Sequence, residues 1–261
     1  MRRIVFLIFV FSLLPIGCKT TGTSAGPAVL REVPRAERVV LMVLNFRNTS
    51  SATLADEYRP WEYGIPSMIM TDLESIGLFN ILSWDRIEDI LEQQKFQSLG
   101  MVNEKDAVEI GRLAAARYSL TGSYMILNGT LRMEARVLSV ETGTQLGASS
   151  VTGKVDMFFE LEKELVIAMT SYLGATLTSE ETARLSESIE TRSVDASLNN
   201  FAGEIAMREA DDLKEKGKSK LADDLIKEAK IRFERAVKHD PDYVRAKNNL
   251  AGLTMAIPMT L

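Results

Sequence analysis

The chain has little of the chemistry on which most enzymes rely. Its 261 residues include a single cysteine, Cys18, and a single histidine, His239. Cys18 lies in an N-terminal signal described below, and one histidine alone supports neither a thiol triad nor a zinc site. No G-x-x-x-x-G-K-[ST] phosphate-binding loop occurs. We therefore expect a protein that is not an enzyme and that holds no cofactor or metal.

An excess of basic residues is also missing. The formal net charge is −5, and lysine and arginine form no continuous stripe interleaved with aromatic residues. Such a stripe is the usual footprint of a nucleic-acid-binding protein, so this class is disfavoured. Hydrophobic residues make up 46% of the chain and charged residues 26%, which is the balance of an ordinary folded protein.

The one long apolar run lies at the N-terminus. Arg2 and Arg3 precede an apolar segment at 4–16, which is too short to span a bilayer about 30 Å thick as a helix. The segment closes with Leu-Pro-Ile-Gly before Cys18, which resembles a bacterial lipobox, although proline replaces the usual leucine three residues before the cysteine. The resemblance implies a signal peptide at 1–17, lipidation of Cys18 and anchoring in the membrane.

The residue after the cysteine predicts the membrane in which the lipoprotein is anchored. It is Lys19 rather than aspartate, which by the sorting rule of Gram-negative lipoproteins implies an outer-membrane protein that faces the periplasm. Residues 18–37 are rich in Thr, Gly, Ser, Ala and Pro, a composition typical of a flexible tether. With Cys18 acylated, the mature chain has no thiol for a disulfide, so packing must stabilise its fold.

Alternating helix and strand patterns follow the tether, over residues 38–176. A continuous apolar run at 38–46 predicts a central strand, and three- and four-residue spacings predict a helix near 63–77 and further helices that begin near 85 and 103. A short strand is predicted at 78–84. Two strands then flank Asn128-Gly129, a type I′ hairpin signal, and a third strand and a helix complete the segment. The expected fold class is α/β (α+β): a mixed sheet with flanking helices, followed by a small all-helical segment.

The last part of the chain has a different pattern. A segment at 177–196 has little periodicity and is interpreted as a linker, and 197–261 is predicted to be helical. Ala229, Phe233, Ala236 and Pro241 have the spacing A-x3-F-x2-A-x4-P, which resembles the second helix of a tetratricopeptide repeat. Only one and a half repeats fit the chain, so we expect them to lean on a neighbouring surface.

Four stretches of the α/β segment resemble a known family. They are VVLMVLNF, DRIEDILEQQKFQSLGMVN, EIGRLAAARYSLTGSY and LRMEARVLSVETGTQLGAS, in the order found in the curli production assembly/transport (CsgG-like) lipoproteins. Relatives of that family include flagellar lipoprotein and TolB N-terminal-like domains. The resemblance implies the fold and an envelope role. The best-known member forms a multimeric outer-membrane channel from two hairpins per subunit, whereas this chain has one long hairpin.

Three aromatic residues cluster around Pro60, at the mouth of the first predicted helix. Tyr58, Trp61 and Tyr63 lie in the longest loop of the segment and are candidates for an exposed partner-binding patch. The alternative is that they pack the end of that helix as a hydrophobic staple.

These observations favour a protein that binds other proteins. The expected function is that of an outer-membrane lipoprotein which serves as a periplasmic assembly or adaptor protein for a surface or secretion apparatus. Its expected partners are the membrane, which it contacts through the lipid anchor, and other envelope proteins. A homo-oligomer is a further expectation, and no nucleic acid is expected to bind. The alternatives are a subunit of a curli-like export channel and an activator of a cell-wall synthase.

Overall fold

The computed structural model describes residues 33–34, 37–94 and 103–256. Arg31–Leu261 form one compact unit. Its strands are β1 Val39–Asn48, β2 Phe79–Ile81, β3 Tyr118–Leu127, β4 Thr130–Ser139 and β5 Gln145–Lys154. Its helices are α1 Ala52–Glu57, α2 Trp61–Ile76, α3 Trp84–Gln94, α4 Glu104–Leu113, α5 Phe158–Tyr172, α6 Ser179–Glu187, α7 Val194–Glu215, α8 Ser219–His239 and α9 Val244–Ala256. The predicted fold class is confirmed.

The five strands form one mixed sheet in the order β2-β1-β3-β4-β5. β1 runs parallel to both β2 and β3, and β3, β4 and β5 form an antiparallel meander. The apolar run of β1 is buried on both faces, since residues 41–44 are all inaccessible to solvent. β1 is therefore a central strand, as its sequence predicts.

A tight turn and a strict alternation set the register of the meander. Asn128 and Gly129 join β3 to β4 with positive φ angles of 50° and 72°, the backbone of a type I′ turn. In β4 the side chains that alternate toward the core are fully buried, and they are Leu131, Met133, Ala135 and Val137. Arg132 and Arg136 point to the opposite, solvated face. The predicted hairpin is thus confirmed.

Helices cover the sheet on two sides. α2 and α5 share the face on which Tyr124 lies, where Trp61 of α2 stacks on Phe158 of α5 with ring centroids 3.9 Å apart. On the other face, Ser119 and Leu138 are buried where α4 contacts β3 and β4. One end of that second face carries no helix among the described residues, which leaves part of the meander open to solvent.

Helix ends follow local side-chain chemistry. The Asn103 side chain accepts hydrogen bonds from the backbone of Lys105 and Asp106, which confirms the predicted start of α4. α3 begins at Trp84, one residue before the start near 85 that the sequence predicts, and the Ser83 hydroxyl accepts from the Arg86 N–H at 3.4 Å.

Two helices lie where the sequence predicted loops. α1 buries none of its residues, so the sequence has no apolar stripe there that would predict a helix. The segment at 177–196, interpreted as a linker, contains α6. This helix begins with a reciprocal capping box between Thr178 and Glu181 and buries Leu185.

The C-terminal helices form a layer of their own. α7 and α8 make an antiparallel pair joined at Gly217, which has a φ of 71° that favours glycine. Phe233 of α8 lies against Gly203 of α7, where a Cβ atom would overlap its ring. α9 then packs on α8 through Ala246 and Tyr243, which are both buried.

Candidate functional site

The predicted sites fall in different places. Cys18 lies outside the described residues. Trp61 is fully buried, so the prediction of an exposed aromatic patch is wrong for this residue. Tyr58 and Tyr63 are half-buried and pack against the core, as the alternative interpretation of a packed helix end requires. The burial has a physical cause: Trp61 fills the space between α2, α5 and the sheet.

The residues of the predicted repeat signature occupy one stripe of α8 and its end. Ala229, Phe233 and Ala236 are buried, and Pro241 lies two residues after His239, the last residue of the helix. Their small or aromatic side chains let α8 approach its neighbours closely. Assignment of these helices to the tetratricopeptide class stays a prediction.

The helical layer docks on α2 of the same chain. Phe201 of α7 packs so tightly on Gly64 that a Cβ atom there would overlap the ring. Next to it, the Trp61 Nε1–H donates a hydrogen bond to Ser197 Oγ at 3.2 Å. The C-terminal helices thus lean on a neighbouring surface, which is the α/β part of their own chain.

A half-buried arginine fixes this docking. Arg245 of α9 donates from Nε to Glu204 Oε1 at 2.7 Å and from Nη2 to Glu204 Oε2 at 2.9 Å. Its Nη2 also donates to Ser67 Oγ of α2 at 2.7 Å. Burial alone would lower the pKa of Arg245, but the carboxylate of Glu204 outweighs it and raises that pKa. One guanidinium therefore joins α9, α7 and α2 through charge-assisted hydrogen bonds.

The contact of Arg245 with Glu204 and Ser67 is called the Arg245 joint below. A groove opens beside this joint, with a volume of about 390 Å³. That volume lies in the range of small binding pockets, about 300–1,000 Å³. Its apolar walls come from three helices and its rim is polar. The lining residues are Tyr63, Glu204, Met207, Arg208, Phe233, Asn248, Asn249, Gly252 and Leu253.

Arg208 supplies the cationic side of the groove. Its guanidinium lies 4.9 Å from the ring centroid of Tyr63 and 5.3 Å from that of Trp84, and it forms an ion pair with Glu88. Burial is the main cause that raises the pKa of Tyr63, whose phenol is therefore neutral near pH 7. Such a groove is suited to an apolar side chain of a partner, with an acidic group beside Arg208.

A second cluster of charged groups is enclosed in the core. Lys163 of α5 donates to both carboxylate oxygens of Asp72 of α2, at 2.8 and 2.6 Å. Glu162 lies beside them, fully buried, with its Oε2 3.3 Å from Lys163 Nζ, but neither carboxyl oxygen accepts a well-aligned hydrogen bond from the described residues. Burial, followed by the charge of Asp72, raises the pKa of Glu162 well above its usual value. Because the cluster is closed to solvent, it serves the packing of α2 on α5.

Within residues 33–34, 37–94 and 103–256, no group of three or more His, Cys, Asp or Glu side chains is placed to hold a metal ion. In the same ranges, no helix has the length and apolarity that crossing a membrane requires.

Sequence reasoning missed the groove and its joint. Arg208 and Glu204 lie on the same stripe of α7 as the buried Phe201, at three- and four-residue spacings. Charged residues on an otherwise buried stripe are the signal that was available, because such residues are rarely buried without partners. Their partners lie far away in sequence, so the pattern alone does not identify them.

Part of the chain matches a known family. Residues 27–133 match the family model described as "Curli production assembly/transport component CsgG". The match confirms the family resemblance predicted from the sequence and covers β1 to the first part of β4. No curated protein sequence matches the chain.

The chain has a partial likeness to several solved structures. The C-terminal domain of LpoB from Escherichia coli is 17% identical, with a TM-score of 0.38, over 44% of this chain and 82% of its own. Lipoprotein GNA1162 from Neisseria meningitidis is 15% identical, with a TM-score of 0.38, over 54% of this chain and 99% of its own. PelC from Paraburkholderia phytofirmans, described as a dodecamer, is 14% identical, with a TM-score of 0.32, over 56% and 94%.

Proposed function

From the CsgG-like match over residues 27–133, we propose that this chain is an outer-membrane lipoprotein that faces the periplasm. It acts there as an assembly or adaptor protein for a surface or secretion apparatus. It works by binding other envelope proteins and catalyses no reaction. The family match supports a cell-envelope protein, and the lipobox-like sequence before Cys18 supports the anchor.

The groove beside the Arg245 joint is the observation that carries the binding role. It combines apolar walls from Met207, Phe233 and Leu253 with a cation, Arg208, at its side. Fully buried apolar contacts with one oriented charge are typical of the few residues that dominate binding energy at protein interfaces. The hydrogen bonds of Arg245 hold the walls in place, so a partner would bind a groove that is already formed.

Site-specific photo-crosslinking of the full lipidated chain in the cell envelope tests this role. A photoreactive residue at Asn248, which is exposed on the groove rim, should form an adduct with a partner protein. The matched control is Lys227, an exposed position of α8 outside the groove lining, which should give no such adduct. Equal adducts from both positions would contradict binding in the groove.

Gly252 offers a way to fill the groove without disturbing the fold. A Cβ atom there meets nothing within 4 Å, so Gly252→Trp would occupy the groove and should abolish the Asn248 adduct. Gly252→Ala is the control, because it leaves the groove open and favours the helix by about 1 kcal/mol. Retention of the adduct in the tryptophan variant would count against the proposal.

The anchor and the alternative functions have separate tests. Cys18→Ser should release the protein from membrane fractions and weaken crosslinking at Asn248. Rings of the purified lipidated protein in detergent, together with leakage of liposomes, would instead favour a channel subunit. An Asn248 adduct identified as a cell-wall synthase would favour the activator.

A further inference from the structure

The sheet ends at a strand with an open side. β5 is the last strand in the order and pairs with β4 alone among the described residues. α5 covers one face of β5, where Tyr172 lies against Gly147 and Leu161 against Gly153. The outer edge of β5 therefore presents backbone N–H and C=O groups that have no strand beside them.

This edge lacks the devices that usually prevent strand pairing. From Gln145 to Gly153 the strand has no charged residue and no proline, and Lys154 is its first charge. A register shift opposite Val137 and Leu138 is confined to the beginning of the strand. The eight residues from Gly147 onward are regular and mostly small. Long, flat, uncharged edges are typical of strands that pair with another chain.

Exposed apolar side chains lie at both ends of this edge. Leu146, at the start of β5, is 43% exposed, and Tyr172 beside it is 37% exposed. Met157, in the turn after the end of β5, is 48% exposed. In an antiparallel pair of two identical strands, the start of each strand meets the end of the other. Leu146 of one copy would thus lie near the end of β5 of the second, before its Met157.

We propose that β5 pairs antiparallel with β5 of a second copy of this chain, which joins two sheets into one across a two-fold axis. With the axis at Ser150, Gly147 lies opposite Gly153 and Ala148 lies opposite Thr152. The opposed pairs from Gly147 to Gly153 are all uncharged, and Val151 is their largest side chain. Lys154 lies opposite Leu146 and far from its own copy. The same surface patch serves on both subunits, as a closed dimer requires. The inference is independent of the groove and of the anchor.

The pairing is tested by the oligomeric state of the compact unit, Arg31–Leu261, determined from its molecular mass in solution. We expect the unit to be a dimer in solution once its concentration is raised to about 1 mM. The double variant Ala148→Glu, Thr152→Glu places like charges directly opposite each other twice and should be monomeric. Its own fold tolerates the change, because Arg136 and Arg132 lie opposite these positions in β4. Ser186→Glu, at an exposed position of α6, should leave the dimer intact.

A disulfide test identifies the axis and does not depend on the charged variant. The unit Arg31–Leu261 has no cysteine, so Ser150→Cys introduces a single thiol at the two-fold axis. It should oxidise to a covalent dimer, whereas Ala148→Cys, two residues away on the same face, should not. A wild-type unit that stays monomeric at about 1 mM overturns the proposal. So does a dimer that survives the two glutamates, or equal crosslinking from both cysteines.

Discussion

Replacement of Glu162 by glutamine should change how the stability of the fold depends on pH. Glu162 is fully buried beside Asp72 and Lys163, and burial raises its pKa well above the ordinary value of 4.5. An acid with a raised pKa keeps its proton in the native state after the unfolded chain has lost it. The contribution of Glu162 to the free energy of unfolding is therefore fully present below about pH 4.5, and it is lost as the pH rises toward the pKa that Glu162 has in the folded protein.

Glutamine resembles the protonated acid in shape and does not titrate, so the variant should lack this loss. The free energy of unfolding of Glu162→Gln, relative to the wild type, should rise with pH above about 4.5. The ceiling is about 1.4 kcal/mol per pH unit for one proton. Urea denaturation at about pH 5, 6 and 7 measures it, with the exposed Glu187→Gln as the control for loss of charge. Parallel pH profiles for Glu162→Gln and wild type would refute the reasoning.

Three further substitutions test the packing. Phe233→Ala should lower the free energy of unfolding by about 3–5 kcal/mol, because a buried ring between α7 and α8 is lost. The control is Ile231→Ala at an exposed position of α8, which should change the stability little, and thermal denaturation compares the two variants. Gly64→Ala should destabilise by about 1–3 kcal/mol in the same assay, since its methyl group overlaps Phe201, and an unchanged melting temperature would contradict the docking of α7 on α2. Gly129→Ala places a Cβ at a φ of 72° and should cost about 1–2 kcal/mol in urea denaturation; no loss would argue against the type I′ turn.

The sheet could be predicted because its signals are local. Asn128-Gly129 determines a turn by backbone preference alone, and the alternation from Leu131 to Val137 determines which face of β4 is buried. The capping box at Thr178 and Glu181 was equally local, yet the Ser/Thr/Glu-rich composition of that segment was interpreted as a linker. A T-x-x-E spacing before an apolar residue would have predicted α6.

The groove could not be predicted for the opposite reason. Arg245 meets Glu204 across 41 positions of sequence and Ser67 across 178. No periodicity connects such residues, because only the docking of α7 and α9 on α2 brings them together. Trp61 shows the same limit: its sequence neighbourhood is a polar loop, and its burial comes from Phe158 and Tyr124, which belong to distant elements.

Trp61 and Trp84 are the two tryptophans of the chain, and both lie at the junction between the α/β part and the helical layer. Trp61 hydrogen-bonds to α7 through Ser197, and Trp84 lies beneath the guanidinium of Arg208. The tryptophan fluorescence of the chain therefore reports on this junction. Movement of α7 away from α2 would break the Trp61–Ser197 hydrogen bond and take Arg208 away from Trp84, so a change in tryptophan emission follows the docked state without an added dye.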